Sequence, residues 1–176
     1  LAIDFVVETR QGSERIARAA FEYAKQNGKD RVCVVTKANI VKTTDGNFLA
    51  ACRRVKEDYP GIALDERLID VCAAKLINDS YVKGLSVFVL PNLYGDIITD
   101  IGAELQGGLG TAGTANLGKR YAMFEAIHGT APDLMASGRG HYANPTSLMR
   151  ASAMMLRHIG FGEKADLLEA ALDRCA

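Results

Sequence analysis

An α/β fold is predicted for this 176-residue chain by two observations: short β-branched apolar runs alternate with segments of helical periodicity, and the polar candidates cluster at the ends of the runs. Strand-like runs at 2–9 and 31–36 flank a helix that Ser13 and Glu14 open and Gly28 stops. A strand, helix, strand succession of that length builds an α/β layer. Two further strands, 63–69 and 86–90, each run into a helix. Lys37, Asp70 and Asp96 thus occupy equivalent positions at three strand ends, where open α/β sheets gather their ligands.

The first helix carries Ile16, Ala20, Tyr23 and Ala24 at helical spacing, so these form its expected core face. Strand 31–36 hands over to Lys37-Ala38-Asn39-Ile40, then to a helix over 44–58 that Tyr59-Pro60-Gly61 ends. Asp70 falls where strand 63–69 passes into a helix over 71–78. After strand 86–90 comes Pro91-Asn92-Leu93-Tyr94-Gly95-Asp96-Ile97-Ile98-Thr99-Asp100, and apolar periodicity over 97–105 predicts a helix from near Gly95. The four-residue spacing then sets Asp96 and Asp100 on one helical face, a turn apart. Two hard oxygen donors so placed suit Mg²⁺ or Mn²⁺. The same pair would also serve as a charge favoured by the helix dipole and a solvated neighbour.

Five glycines within residues 107–118 predict a loop, either a joint between two lobes or a backbone able to approach a cofactor closely. A brief strand, 122–126, leads to Ile127-His128-Gly129-Thr130-Ala131-Pro132-Asp133 and a long loop up to Asn144-Pro145. Loops of that length are typically functional or disordered. His128 can stack on a ligand, donate to it, or bond its own turn; the Asp133 carboxylate can accept from paired ribose hydroxyls. A helix over 146–159 sets Leu148, Met149, Ser152, Met155, Leu156 and Ile159 on one stripe, predicted to be core. A last helix covers 163–175.

Lysine plus arginine equals aspartate plus glutamate at 21 each, so no net field draws in nucleic acid or an acidic membrane surface, and neither is expected as a partner. No apolar run approaches the roughly 18 residues of a membrane span. The four cysteines lack CxxC spacing and read as reduced thiols. They read as thiols of an intracellular protein, and the expected setting is the cytoplasm, or the mitochondrial matrix in a eukaryote. Leu1 opens a strand-like run with nothing before it, so the chain is expected to be part of a longer polypeptide.

Lys37-Ala38-Asn39-Ile40, Asn92 to Asp100, Gly107-Gly108-Leu109-Gly110, Phe124 to Asp133, Ala143-Asn144-Pro145 and Met154-Met155-Leu156-Arg157-His158 occur in an order that resembles the carboxyl-terminal half of the isocitrate and isopropylmalate dehydrogenases. The resemblance implies a family-like α/β architecture: a small central lobe over 1–106, carrying metal and dimer-interface helices, and part of a large cofactor-binding lobe over 107–176. It implies NAD-dependent oxidative decarboxylation of a small 2-hydroxy acid with Mg²⁺ or Mn²⁺, in a homodimer with a shared active site. Asp96 and Asp100 match metal ligands of one subunit. Asp70 matches a ligand from the neighbouring subunit that also serves catalysis, and Lys37 a proton-transfer lysine from that neighbour. Asn39 would touch substrate. His128, Gly129, Thr130, Ala131 and Asn144 match cofactor contacts, and Asp133 matches an acidic position that favours NAD over NADP. The segments 125–130 and 154–160 lean toward isocitrate, with isopropylmalate, homoisocitrate or tartrate enzymes as alternatives. A non-catalytic regulatory subunit on the same scaffold is the alternative of another class. The chain departs from the family pattern around 79–84 and between Asp133 and Asn144, where it is slightly longer. The family's substrate-discriminating residues and catalytic tyrosine have no counterpart here, so the chain by itself is expected to be inactive.

Overall fold

Strand β1 (Arg31–Thr36) is apolar on both faces, which makes it the centre of a sheet covered on both sides. In the computed structural model, which describes residues 1–175, β1 pairs in parallel with β2 (Ala63–Leu68) and β3 (Val87–Val89), in the order β2-β1-β3. The two-residue period of a strand sends Val32 and Val34 to one face and Cys33 and Val35 to the other. On the first face α1 (Arg10–Gln26) and α2 (Thr44–Lys56) supply Ala17, Phe21, Phe48, Cys52 and Val55. On the second, Cys72 of α3 (Ile69–Lys75) and Ile98 of α5 (Asn92–Leu105) complete the core. A short α4 (Asp79–Val82), capped by Asn78 accepting from the Tyr81 amide at 3.2 Å, fills the longer segment before β3.

Several expectations need correction. Residues 2–9 form no strand, because a strand requires a hydrogen-bonded neighbour and no described strand pairs with this run. Helix α1 starts at Arg10 instead of Ser13, since Thr9 is the cap and its Oγ1 accepts the Gly12 amide at 3.1 Å. Its buried face is Ser13, Ala17, Ala20, Phe21 and Ala24, while Ile16 and Tyr23 are 48% and 58% exposed. The small residues let α1 approach its neighbours closely around Phe21, and that rotation leaves Ile16 and Tyr23 outside the core. Helix α5 begins at Asn92, three residues before Gly95, and α3 already contains Asp70 in its first turn.

Contacts divide the chain after Ile101, within α5. In the second unit the glycine-rich stretch contains a strand, β4 (Gly113–Leu117), which pairs antiparallel with β5 (Ala122–Ala126). Helix α7 (Thr146–His158) packs so tightly on β4 that a Cβ on Gly113 would come within 2.9 Å of the Ala151 Cα. Glycine is required there by backbone proximity, a reason invisible to turn-based reading. The predicted long loop holds α6 (Pro132–Ala136), with proline at its first position, and a 3₁₀ turn at Gly140–Tyr142. The Leu148, Met149, Met155 and Ile159 stripe is not core: Leu148 and Ile159 are each 55% exposed, and Ser147, Ala151 and Ala153 face inward instead. Small side chains win that face because the hairpin lies so close. Helix α8 (Gly162–Asp173) is tied to α7 by Arg150, which donates to Glu169 at 2.7 Å and Asp173 at 2.8 Å. Among the described residues no helix is long and apolar enough to cross a membrane.

Burial pushes the Cys33 and Cys52 thiols up to about 12 and raises Cys72, whereas Cys175 is exposed. Thiolate is the reactive form. In folded protein Cys175 is therefore expected to be the first of the four to react with a thiol reagent, the others following only on denaturation. Peptide mass spectrometry reads this directly, and Cys33 labelling as fast as Cys175 would contradict the packing.

Candidate active-site residues and their geometry

Because β1, β2 and β3 run parallel, their carboxyl ends share one edge, and the polar candidates follow those ends. Lys37 leaves β1 with its main chain fixed on both sides. Its amide donates to Asp45 Oδ2 at 2.6 Å, and its carbonyl accepts the Ile40 and Val41 amides at 2.9 and 2.8 Å. Its side chain reaches Asp70, with Nζ 2.6 Å from Oδ1. The hydrogen bond from Lys37 holds the Asp70 carboxyl below the usual carboxylate range. A depressed carboxylate pKa means the pair stabilises the fold above the ordinary aspartate range and stops doing so as pH falls through the depressed value. Asp70 is exposed, so solvent screening keeps that contribution small.

Asn39 is exposed in the turn after Lys37. Asp96 and Asp100 lie one turn apart on α5, both exposed, and among the described residues neither carboxylate has an ion-pair or hydrogen-bond partner. Unpaired hard oxygens in that arrangement fit a divalent cation. Two ligands from one helix leave the shell incomplete, and among the described residues no group of three potential ligands forms. The chain therefore brings Lys37 to Asp70 and Asp96 to Asp100, without joining the two pairs into one metal cluster. A cavity of about 280 Å³ in this unit, lined by Glu8, Ser13, Ile16, Phe48, Leu90 and Asn92 among others, contains none of these side chains.

Asp45 escaped the sequence reading. It is 4% exposed, in the first turn of α2, where the positive helix end favours a carboxylate. The signal available was an acidic residue after Thr43-Thr44 at a helix start, which looks like ordinary capping. Tyr94 lies near it on α5: burial, then the negative charge of Asp45, raises the Tyr94 phenol above its ordinary range.

In the second unit His128, Gly129 and Thr130 are exposed after β5, with His128 Nδ1 2.8 Å from the Gly129 carbonyl oxygen. Ala131 adopts φ 47°, a left-handed conformation that costs a non-glycine residue about 1 kcal/mol or more. That turn sets Pro132 and Asp133 at the head of α6. Asn144 accepts the Thr146 amide at 3.0 Å, and its side chain packs against the backbone of Gly110, within 3.5 Å of where a Cβ would stand. Gly110 and Asn144 thus meet in space.

A family model described as isocitrate/isopropylmalate dehydrogenase matches residues 1–175. The chain is 43% identical, over 93% of its length, to the mitochondrial NAD isocitrate dehydrogenase subunit 2 of Schizosaccharomyces pombe, and covers 42% of that protein. It is 46% identical to the chloroplastic 3-isopropylmalate dehydrogenase of Solanum tuberosum, covering 93% of this chain and 45% of the relative. The crystal structure of isocitrate dehydrogenase from Methylococcus capsulatus superposes with a TM-score of 0.88 at 44% identity, over 95% of this chain and 48% of that one. The chain thus spans somewhat under half the length of these relatives. Names among the relatives include NAD and NADP enzymes, and catalytic and regulatory subunits. With its parallel sheet, its paired strand-end residues and these likenesses, the chain belongs to the isocitrate/isopropylmalate dehydrogenase family.

Proposed function

We propose that the protein containing this chain oxidatively decarboxylates a 2-hydroxy acid, isocitrate foremost, with NAD and Mg²⁺ or Mn²⁺. The observation that carries this reading is the Lys37–Asp70 pair at 2.6 Å, with Asp96 and Asp100 following β3 on α5, neither carboxylate paired among the described residues. Asp96 and Asp100 of one copy, with Asp70 of a second, would hold the divalent ion. When bound, that ion supplies Lewis acidity at the substrate hydroxyl and carboxylate. Lys37 Nζ would take the proton of the substrate hydroxyl and Asn39 would contact the substrate, while a bound nicotinamide would supply the hydride acceptor. Carbon dioxide would then depart from the β-position, the electron pair of the broken bond passing into an enolate that takes a proton to give the keto acid.

In this reading residues 1–106 form the central lobe and 107–176 part of the cofactor lobe, and a two-fold homodimer packs α2 and α3 against their mates. Asp133 accepts hydrogen bonds from the adenosine ribose and repels a 2′-phosphate, which selects NAD. His128, Gly129, Thr130, Ala131 and Asn144 contact the adenosine half. The setting would be the cytoplasm or the mitochondrial matrix.

The deciding assay uses full-length protein with Mn²⁺, testing isocitrate and 3-isopropylmalate, each with NAD and NADP. Fastest NADH formation from isocitrate is expected. Faster turnover of 3-isopropylmalate would reassign the substrate, and NADP preference would remove the role given to Asp133. No turnover of either acid, with stimulation of a catalytic partner subunit, would favour the regulatory alternative.

A further inference from the structure

We propose that Asp45 is a positioning residue for Lys37, tying the strand end that carries the lysine to the first turn of α2. The proposal rests on the functional reading above, because it assigns Lys37 a task that depends on where its main chain is held.

The amide of Lys37 has no ladder partner beyond the last residue of β1 and donates instead to the Asp45 carboxylate at 2.6 Å, a short charge-assisted bond. Asp45 is 4% exposed, so water does not compete for that amide. A buried carboxylate is costly unless several donors meet it. The first turn of α2 provides part of that compensation, and the Lys37 amide another part. One buried group therefore joins the end of β1 to the first turn of α2. The Ile40 and Val41 amides fix the Lys37 carbonyl but belong to the turn itself, and they make no connection to another element. Without Asp45 the Lys37 amide would be left unpaired at a buried strand end, and the lysine would be free to shift away from its position opposite Asp70. Displacements of about 1 Å in a reacting group can cost on the order of 10²-fold in rate.

The test compares Asp45→Ala and Asp45→Asn in the full-length protein. Asparagine keeps an acceptor oxygen for the Lys37 amide, and alanine removes it. Asp45→Ala is expected to lower kcat at least tenfold, leave KM for the dinucleotide within about twofold, and abolish protection of the Lys37 amide against hydrogen exchange. Asp45→Asn should retain that protection and recover most of kcat. Unchanged kcat in Asp45→Ala, or Lys37 protection that survives it, overturns the proposal alone. If the alanine variant does not fold, an Asp45→Asn enzyme that keeps amide protection yet loses kcat as severely as a Lys37 substitution also overturns it. Wild-type protein that oxidises no 2-hydroxy acid while Lys37 stays protected overturns the functional reading, and the positioning role with it.

Discussion

Substituting Asp96→Asn together with Asp100→Asn in the full-length protein is expected to lower kcat/KM by roughly 10³-fold or more. A bound divalent ion contributes several kcal/mol of charge stabilisation, and about 1.4 kcal/mol corresponds to tenfold. Asparagine keeps the shape and removes the charge. Both side chains are exposed and unpaired among the described residues, so stability should move by no more than about 0.5 kcal/mol. This separation makes the experiment informative: Mn²⁺ binding, followed by electron paramagnetic resonance, should be lost while the urea midpoint holds. A double variant that binds Mn²⁺ as the wild type does would remove these carboxylates from the metal shell.

The largest expected effect on stability is that of Phe21→Ala, about 3–5 kcal/mol. Phe21 is fully buried between α1 and the sheet, and its ring stacks on Tyr59 with centroids 5.1 Å apart. The Tyr59 hydroxyl donates to Glu22 at 2.6 Å, so the ring opposite Phe21 is held from its far end and cannot collapse into the space. A loss of that size rivals the total stability of a typical domain, about 5–15 kcal/mol. Tyr23→Ala provides the contrast: at 58% exposure it should shift the urea midpoint little. Comparable losses at the two positions would mean that the face assigned to α1 is wrong.

That contrast shows where one-dimensional pattern stops. Periodicity placed a helix over most of Arg10–Gln26 and set Ile16, Ala20, Tyr23 and Ala24 on its inward face; Ala20 and Ala24 are buried there, whereas Ile16 and Tyr23 are exposed. The helix is rotated so that Ala17 and Phe21 join Ala20 and Ala24 against α2 and the sheet, a close-packed face that leaves Ile16 and Tyr23 outside it. Helix α7 repeats the lesson, with Ser147 and Ala151 facing the hairpin and the methionines outward. Gly113 belongs to the same account. Turn chemistry explains glycine as a loop residue, whereas this one lies in a strand because a neighbouring backbone leaves no room for a Cβ.

What the sequence by itself determined was the alternation of strands and helices, the family, and the identity of the residues that follow each parallel strand. Those depend on local composition and on the period of apolar side chains, both written along the chain. Only the tertiary structure decided which side of each helix is buried, that Lys37 meets Asp70, and that Asp45 closes over the lysine's amide. These relations join residues whose distance in space is set by how the layers pack, and spacing along a single chain carries no record of that distance.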